Sequence, residues 1–144
     1  MISRTAQHAI RALVALAREP RGRYVGAAHV ARQIAAPRNY LGKLLQNLAD
    51  VGLLESQKGL GGGFRLARDP QRITLLDVAE PLDRIERRTG CILGNEECND
   101  QVGCAVHQRW KRVRARYLQL LSQTTIADLA FEPKRAARRP LRSS

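Results

Sequence analysis

The chain has 144 residues, with 25 lysines and arginines against 13 aspartates and glutamates, a formal net charge of +12, and 44% apolar residues. That apolar share is enough for one ordinary core and excludes disorder throughout, while the charge excess points to a polyanionic partner, because a field of that sign gathers phosphates. Aromatic residues are only 4% of the chain and the longest apolar run is Ala12 to Ala17, which argues against a base-stacking platform and against a membrane span of roughly 20 residues. A soluble, cytoplasmic chain is expected.

Ala6, Ala9, Ile10, Leu13, Val14 and Ala17 recur at steps of three and four. They predict an amphipathic helix from Ser3, its N-cap, to Arg18, with Pro20 beyond its end. A second short helix is predicted over Gly26 to Ala35, stopping before Pro37. Pro37 then opens a third, in which Leu41, Leu44, Leu45, Leu48 and Val51 form the apolar stripe and Gly52 caps the C-terminus. Two extended segments, at 53–58 and 64–67, flank the tip Gly59-Leu60-Gly61-Gly62-Gly63 and predict a β-hairpin. Helix, short helix, longer helix and hairpin together make a winged helix-turn-helix. Thr74 with Asp77 predicts a capped fourth helix through Ala79, stopped by Pro81. Residues 84–105 read as irregular, and a long helix follows.

The expected fold class is mainly α with a small β-hairpin. In domain terms, 1–83 form the winged helix-turn-helix, 84–105 a cysteine-rich cluster-binding loop, 106–131 a dimerisation helix with a short tail helix, and 132–144 a basic tail expected to be disordered.

Arg38, Asn39, Tyr40 and Lys43 lie on the polar face at the start of the third helix, where a recognition helix meets base edges in the major groove. Lys58 and Arg65 flank the glycine-rich tip, and cations on a wing suit phosphate or minor-groove contacts. A nucleotide-binding loop is excluded, because no Gly-Lys-Ser/Thr closes the glycine run. On the long helix, Val106, Trp110, Val113, Tyr117, Leu120 and Leu121 make a stripe too apolar for solvent, which a symmetric partner helix would cover.

The three cysteines, Cys91, Cys98 and Cys104, fall within 14 residues, and His107 follows at once. An odd number cannot pair off as disulfides, and a secreted scaffold would spread its cysteines to tie distant loops. The array Cys91-x6-Cys98-x5-Cys104-x2-His107 instead offers three soft thiolates and an imidazole to iron-sulfur or zinc. Zinc prefers tighter Cys-x2-4-Cys pairs, which favours a cluster modestly. No nucleophile with a base, and no paired carboxylates, suggest an enzyme.

These motifs resemble the winged-helix iron-sulfur transcriptional regulator family of IscR and NsrR. The resemblance rests on Ala9-Ile10-Arg11-Ala12-Leu13, on Tyr40-Leu41 and Gly52-Leu53, and on Gly59 to Ala67. It continues through the cysteine loop to Thr125-Ile126-Ala127-Asp128-Leu129. It implies a homodimer joined through the long helix, bound to a double-stranded DNA operator, with an iron-sulfur cluster beside the dimer interface that tunes DNA affinity. The signal would be redox state, nitric oxide or iron-sulfur supply. IscR-like members carry a 2Fe-2S cluster on three cysteines and a histidine, which map onto Cys91, Cys98, Cys104 and His107. NsrR-like members carry a 4Fe-4S cluster with an aspartate ligand in the first helix. Gln7 occupies that position here, which favours 2Fe-2S, and His8 beside it is the alternative fourth ligand. The chain departs from IscR by one extra residue between Cys91 and Cys98, and Gly42 stands where IscR-like proteins place an acidic, operator-selecting residue. Two other classes use the same residues: a small iron-sulfur electron carrier or cluster-transfer protein, which would leave the winged helix and the charge unexplained, and a zinc-stabilised DNA-binding module without a sensing role.

Overall fold

A computed structural model describes residues 2–88 and 105–131. Helix α1, Arg4–Ala17, begins where the Ser3 hydroxyl accepts the Ala6 amide at 3.1 Å. Its inward face is unusually small in side-chain volume, with Ala6, Ala9 and Ala12 fully buried beside Ile10, Leu13 and Leu16. Helix α2, Ala27–Ile34, ends at Ala35, which takes the left-handed conformation at φ +56° so that the chain can turn before Pro37. Helix α3, Arg38–Asp50, buries Leu41, Leu44, Leu45 and Leu48. It closes as its pattern predicts: Gly52 is left-handed, its amide bonds to the Ala49 carbonyl, and the Leu53 amide bonds to that of Leu48, the paired bonds of a Schellman motif.

Strands β1, Leu54–Gln57, and β2, Gly63–Leu66, pair antiparallel with Leu54 opposite Leu66 and Glu55 opposite Arg65. This is the expected hairpin, and its base is anchored further. Val25, just before α2, exchanges both backbone hydrogen bonds with Phe64 at 2.8 Å each. The wing is therefore pinned to the start of the helix-turn-helix. A side chain at Gly63 would strike the Val25 carbonyl oxygen at 2.3 Å, so the close approach depends on glycine there.

After a short 3-10 turn, Pro70–Arg72, the capping box between Thr74 and Asp77 forms in both directions at 3.0 Å. The sequence stopped this helix at Pro81, but α4 runs Leu75–Asp83 with Pro81 inside it. Proline removes one donor and disfavours the turn before it; the last turn is retained because Asp83 is held from outside. Its carboxylate accepts the Ser3 amide at 2.7 Å and the Ser3 hydroxyl, fastening the end of α4 to the start of α1. Arg84 then turns left-handed at φ +49°, and a one-turn helix α5, Ile85–Arg88, lies in what had read as irregular chain.

Helix α6, His107–Gln123, leads to α7, Ile126–Phe131, which opens with a second reciprocal capping pair, Thr125 with Asp128 at 2.9 and 3.1 Å. Helix α7 returns to pack on α1, and Ile126 sits fully buried in the same core as Leu13, Leu45 and Val78. Leu121 closes a smaller cluster with Ala6, Ala79 and Ile85.

Asp83 is buried and accepts two bonds, so Asp83→Ala leaves the Ser3 donors without their acceptor. The expected cost is about 1–3 kcal/mol, read as a lower urea midpoint at unchanged m-value. Ser3→Ala keeps the backbone donor but loses both the bond to Asp83 and the N-cap acceptor of the Ala6 amide, and should cost a comparable amount.

Candidate DNA interface

The apolar face of α3 seats it on the core, and its opposite face is open. Arg38, Asn39, Tyr40 and Lys43 are all exposed there, with Gln46 and Asn47 one turn on. A side chain added at Gly42 would meet nothing within 4 Å, so a flat, polar, unobstructed strip begins at the N-terminal turn. Tyr40 is the exception to free exposure. Its hydroxyl lies 3.2 Å from Nδ1 of His8 on α1, and the two rings meet edge to face at 5.4 Å with an interplanar angle of 71°.

The two wing cations separate sharply. Lys58 is exposed beside the tip, with no hydrogen-bond or ion-pair partner among the described residues. Arg65 is committed to the protein. It pairs with Glu55, its cross-strand neighbour, at 2.7 Å, donates to the Gly22 carbonyl at 3.1 Å, and stacks 4.4 Å over the Tyr24 ring. The Glu55 hydrogen bond holds the Arg65 pKa above its ordinary value. Arg65 thus braces the wing against the loop after α1, and its charge is offset by Glu55. The Glu55 partnership could have been read from the hairpin register; the Tyr24 and Gly22 contacts, tens of residues away, could not.

The tip is shaped by its glycines. Gly59 and Gly61 sit at φ +92° and +75°, and a side chain at Gly62 would lie 2.2 Å from the Gln57 carbonyl oxygen. Leu60 projects from this turn fully exposed. At the base of the wing lies an open cavity of about 750 Å³, lined among others by Arg21, Arg65 and Asp69. These three charges are already paired: Arg65 with Glu55, and Arg21 with Asp69 at 3.1 Å.

His107 is buried at the first turn of α6. Cys91, Cys98 and Cys104 lie outside the described residues, as does the basic tail 132–144, and the described residues alone hold no cluster of metal-ligating side chains. The apolar stripe of α6 divides in two. Leu121 is buried at 3% exposure, and Tyr117 packs partly against the same cluster. Val106, Val113 and Leu120 remain 38%, 57% and 59% exposed. They are spaced by sevens, so they line one seam along the helix. The Tyr117 hydroxyl is buried without a hydrogen-bond partner among the described residues, and burial, then the Asp83 charge, raises its pKa.

A model of the Rrf2 family, described as iron-dependent transcriptional regulators, matches residues 2–132. The chain belongs to the Rrf2 family. Among Rrf2 relatives, the HTH-type transcriptional regulator NsrR of Shouchella clausii is 30% identical over 127 residues, covering 86% of this chain and 84% of that protein. The regulator IscR of Vibrio cholerae is 26% identical over 126 residues, covering 88% and 72%. The solved structure of CymR, the global cysteine regulator of B. subtilis, superposes with a TM-score of 0.74 at 26% identity and covers 90% of this chain and 95% of its own. The Rrf2 chain is accordingly a DNA-binding winged-helix transcriptional regulator. No helix among its described residues is long and apolar enough to cross a membrane.

The two wing cations should behave differently when removed. Lys58→Ala should weaken random and specific duplexes alike and make the salt dependence of binding shallower by about one unit, with thermal stability unchanged. Arg65→Ala should instead speed amide exchange around Gly22 to Val25 and along β2.

Proposed function

We propose that this regulator is a homodimer that reads a DNA operator with α3 and the wing, and whose affinity is set by an iron-sulfur cluster held near the start of α6. It would act in the cytoplasm and sense redox state, nitric oxide or iron-sulfur supply. The observation that carries the reading is the placement of His107: one donor of the Cys91, Cys98, Cys104 and His107 set is buried at the first turn of the helix whose far end packs into α1 and α4. The donor set fits the group. Three thiolates and an imidazole are the ligand types that iron-sulfur clusters take, and the family model is described as iron-dependent. When bound, the cluster supplies a redox- and nitric-oxide-reactive centre.

The chain's own residues supply the rest. As one member of the proposed ligand set, His107 would link a bound cluster to α6; Leu121, Tyr117 and the Arg114 bond to the Glu86 carbonyl, at 3.2 Å, tie α6 to α1, α4 and α5. A shift at the start of α6 is thereby passed to the helix that supports the recognition helix. If cluster-bound and cluster-free forms differ in operator affinity, loss of the cluster changes occupancy by that coupling, typically about 1–3 kcal/mol. Val106, Val113 and Leu120 form the seam a second copy would cover, and two copies would present two α3 helices to a two-fold operator. Family membership favours this regulator over an electron carrier, and colour distinguishes the cluster from zinc.

Anaerobic purification should give a coloured protein with matching iron and sulfide. Cys91→Ala, Cys98→Ala and Cys104→Ala should each abolish the absorbance, and His107→Ala should leave it labile or altered. Full retention in all three cysteine variants, or a colourless zinc protein, overturns the cluster. Sedimentation should show a dimer at micromolar concentration; Val113→Glu with Leu120→Glu should give a folded monomer.

The base-reading role of α3 is tested at Asn39, whose amide can pair with adenine and carries no charge. Asn39→Ala should cost roughly 1–3 kcal/mol on the operator and little on random duplex. An equal loss on both would mean that α3 positions the protein without reading bases.

A further inference from the structure

Helix α3 presents one side chain whose hydrogen-bonding polarity is set from another helix. Tyr40, in the first turn of α3 beside Asn39, is 36% exposed. Its ring is held edge to face by the His8 ring, and its hydroxyl lies 3.2 Å from His8 Nδ1. A phenol has one proton to give and lone pairs to receive. The distance alone leaves the direction to the histidine tautomer; of the two groups the phenol is the stronger acid and the poorer acceptor, so the pairing inferred is Tyr40 O–H donating to Nδ1 of an imidazole that carries its proton on Nε2. In that pairing the Tyr40 proton points back to α1, and what faces outward is the phenolic oxygen.

We infer that His8 is a positioning residue that makes Tyr40 a hydrogen-bond acceptor on the DNA-reading face, suited to the exocyclic amino group of adenine or cytosine in the major groove. The inference rests on the reading of α3 as the recognition helix. A tyrosine free to rotate its proton would donate to phosphate oxygens or to guanine O6 and N7 as readily as it accepted. With its proton occupied, it meets a phosphate acceptor to acceptor and meets a base amino group donor to acceptor. The edge-to-face ring contact fixes direction as well, since the hydroxyl cannot swing without breaking it. Tyr40 thereby gains sequence information that an unpaired tyrosine would lack, namely an amino base over a keto base at one position of one strand.

The test selects operators from a randomised duplex library with the wild-type protein and with His8→Ala, His8→Asn, Tyr40→Phe and the double variant His8→Ala/Tyr40→Phe, recording cluster absorbance for each. Wild type should select adenine or cytosine over guanine and thymine at one half-site position. Tyr40→Phe and His8→Ala should both lose that preference at the same position, by roughly tenfold, about the size of one lost hydrogen bond. The double variant should lose no more than either single one. His8→Asn should retain it, because the amide oxygen can stand where Nδ1 stood. A His8→Ala protein that keeps a preference lost in Tyr40→Phe overturns the inference, as does a Tyr40→Phe protein that keeps it, or losses that add in the double variant. Loss of cluster absorbance confined to His8→Ala would make His8 a ligand and equally overturn it. Failure of the wild type to select any motif would instead strike at the recognition-helix reading itself.

Discussion

Close approach to α1 is the constraint on which the rest of the structure rests. Ala6, Ala9 and Ala12 are fully buried on its inward side, and α2, α3, α4, α7 and β2 all pack against it. So many neighbours can reach one helix only where the side chains between them are short. Larger residues at these positions would force backbones apart in a core packed at crystal density, at about 1–3 kcal/mol each. Helix α1 is thus the frame on which α3, the proposed recognition helix, and the second strand of the wing are mounted.

Polar links at its N-terminal half fasten that frame to both sides of the molecule. Ser3 is bonded to Asp83 at the end of α4, and His8, five residues on, meets Tyr40 in the first turn of α3. The first joins α1 to the side where α6 packs; the second joins it to α3, the proposed DNA-reading helix. Between them lies a rigid helical segment with Ala6 at its buried centre. The cluster-to-operator coupling proposed above therefore needs no long chain of intermediates: a tilt of α1 of small amplitude is felt at both ends.

Much of this was legible in the sequence, for identifiable reasons. The α1 and α3 stripes follow helical periodicity, which depends only on burying one face. The Thr74–Asp77 box and the Gly52 turn are local backbone requirements with narrow residue choices. The departures arise where distant contacts override local rules. Pro81 failed to stop α4 because Ser3, some eighty residues away, grips Asp83. The α6 stripe looked like a single face, yet Leu121 belongs to the intramolecular core and Leu120, its neighbour, to the open seam. Periodicity reports that a surface is apolar and says nothing of which neighbour covers it. Arg65 was read by its charge and position on the wing; its engagement with Glu55, Tyr24 and Gly22 depends on how the hairpin folds back on the loop after α1. The proposed metal donors rest on residue type, spacing and the family resemblance, and of the four only His107 lies within the described structure.

The paired bonds between Val25 and Phe64 carry a consequence for the thermodynamics of association. A wing tethered only at its own base would lose conformational freedom when it settled on a duplex, and that lost entropy would subtract from affinity. Here the backbone beside α2 and the second strand of the wing are joined at 2.8 Å on both sides, at a close approach that leaves no room for a side chain on Gly63. The wing has been ordered by folding, before DNA arrives. Operator binding should accordingly resemble the meeting of two preformed surfaces, with a heat-capacity change that tracks the area of the interface and no additional contribution from folding of the hairpin.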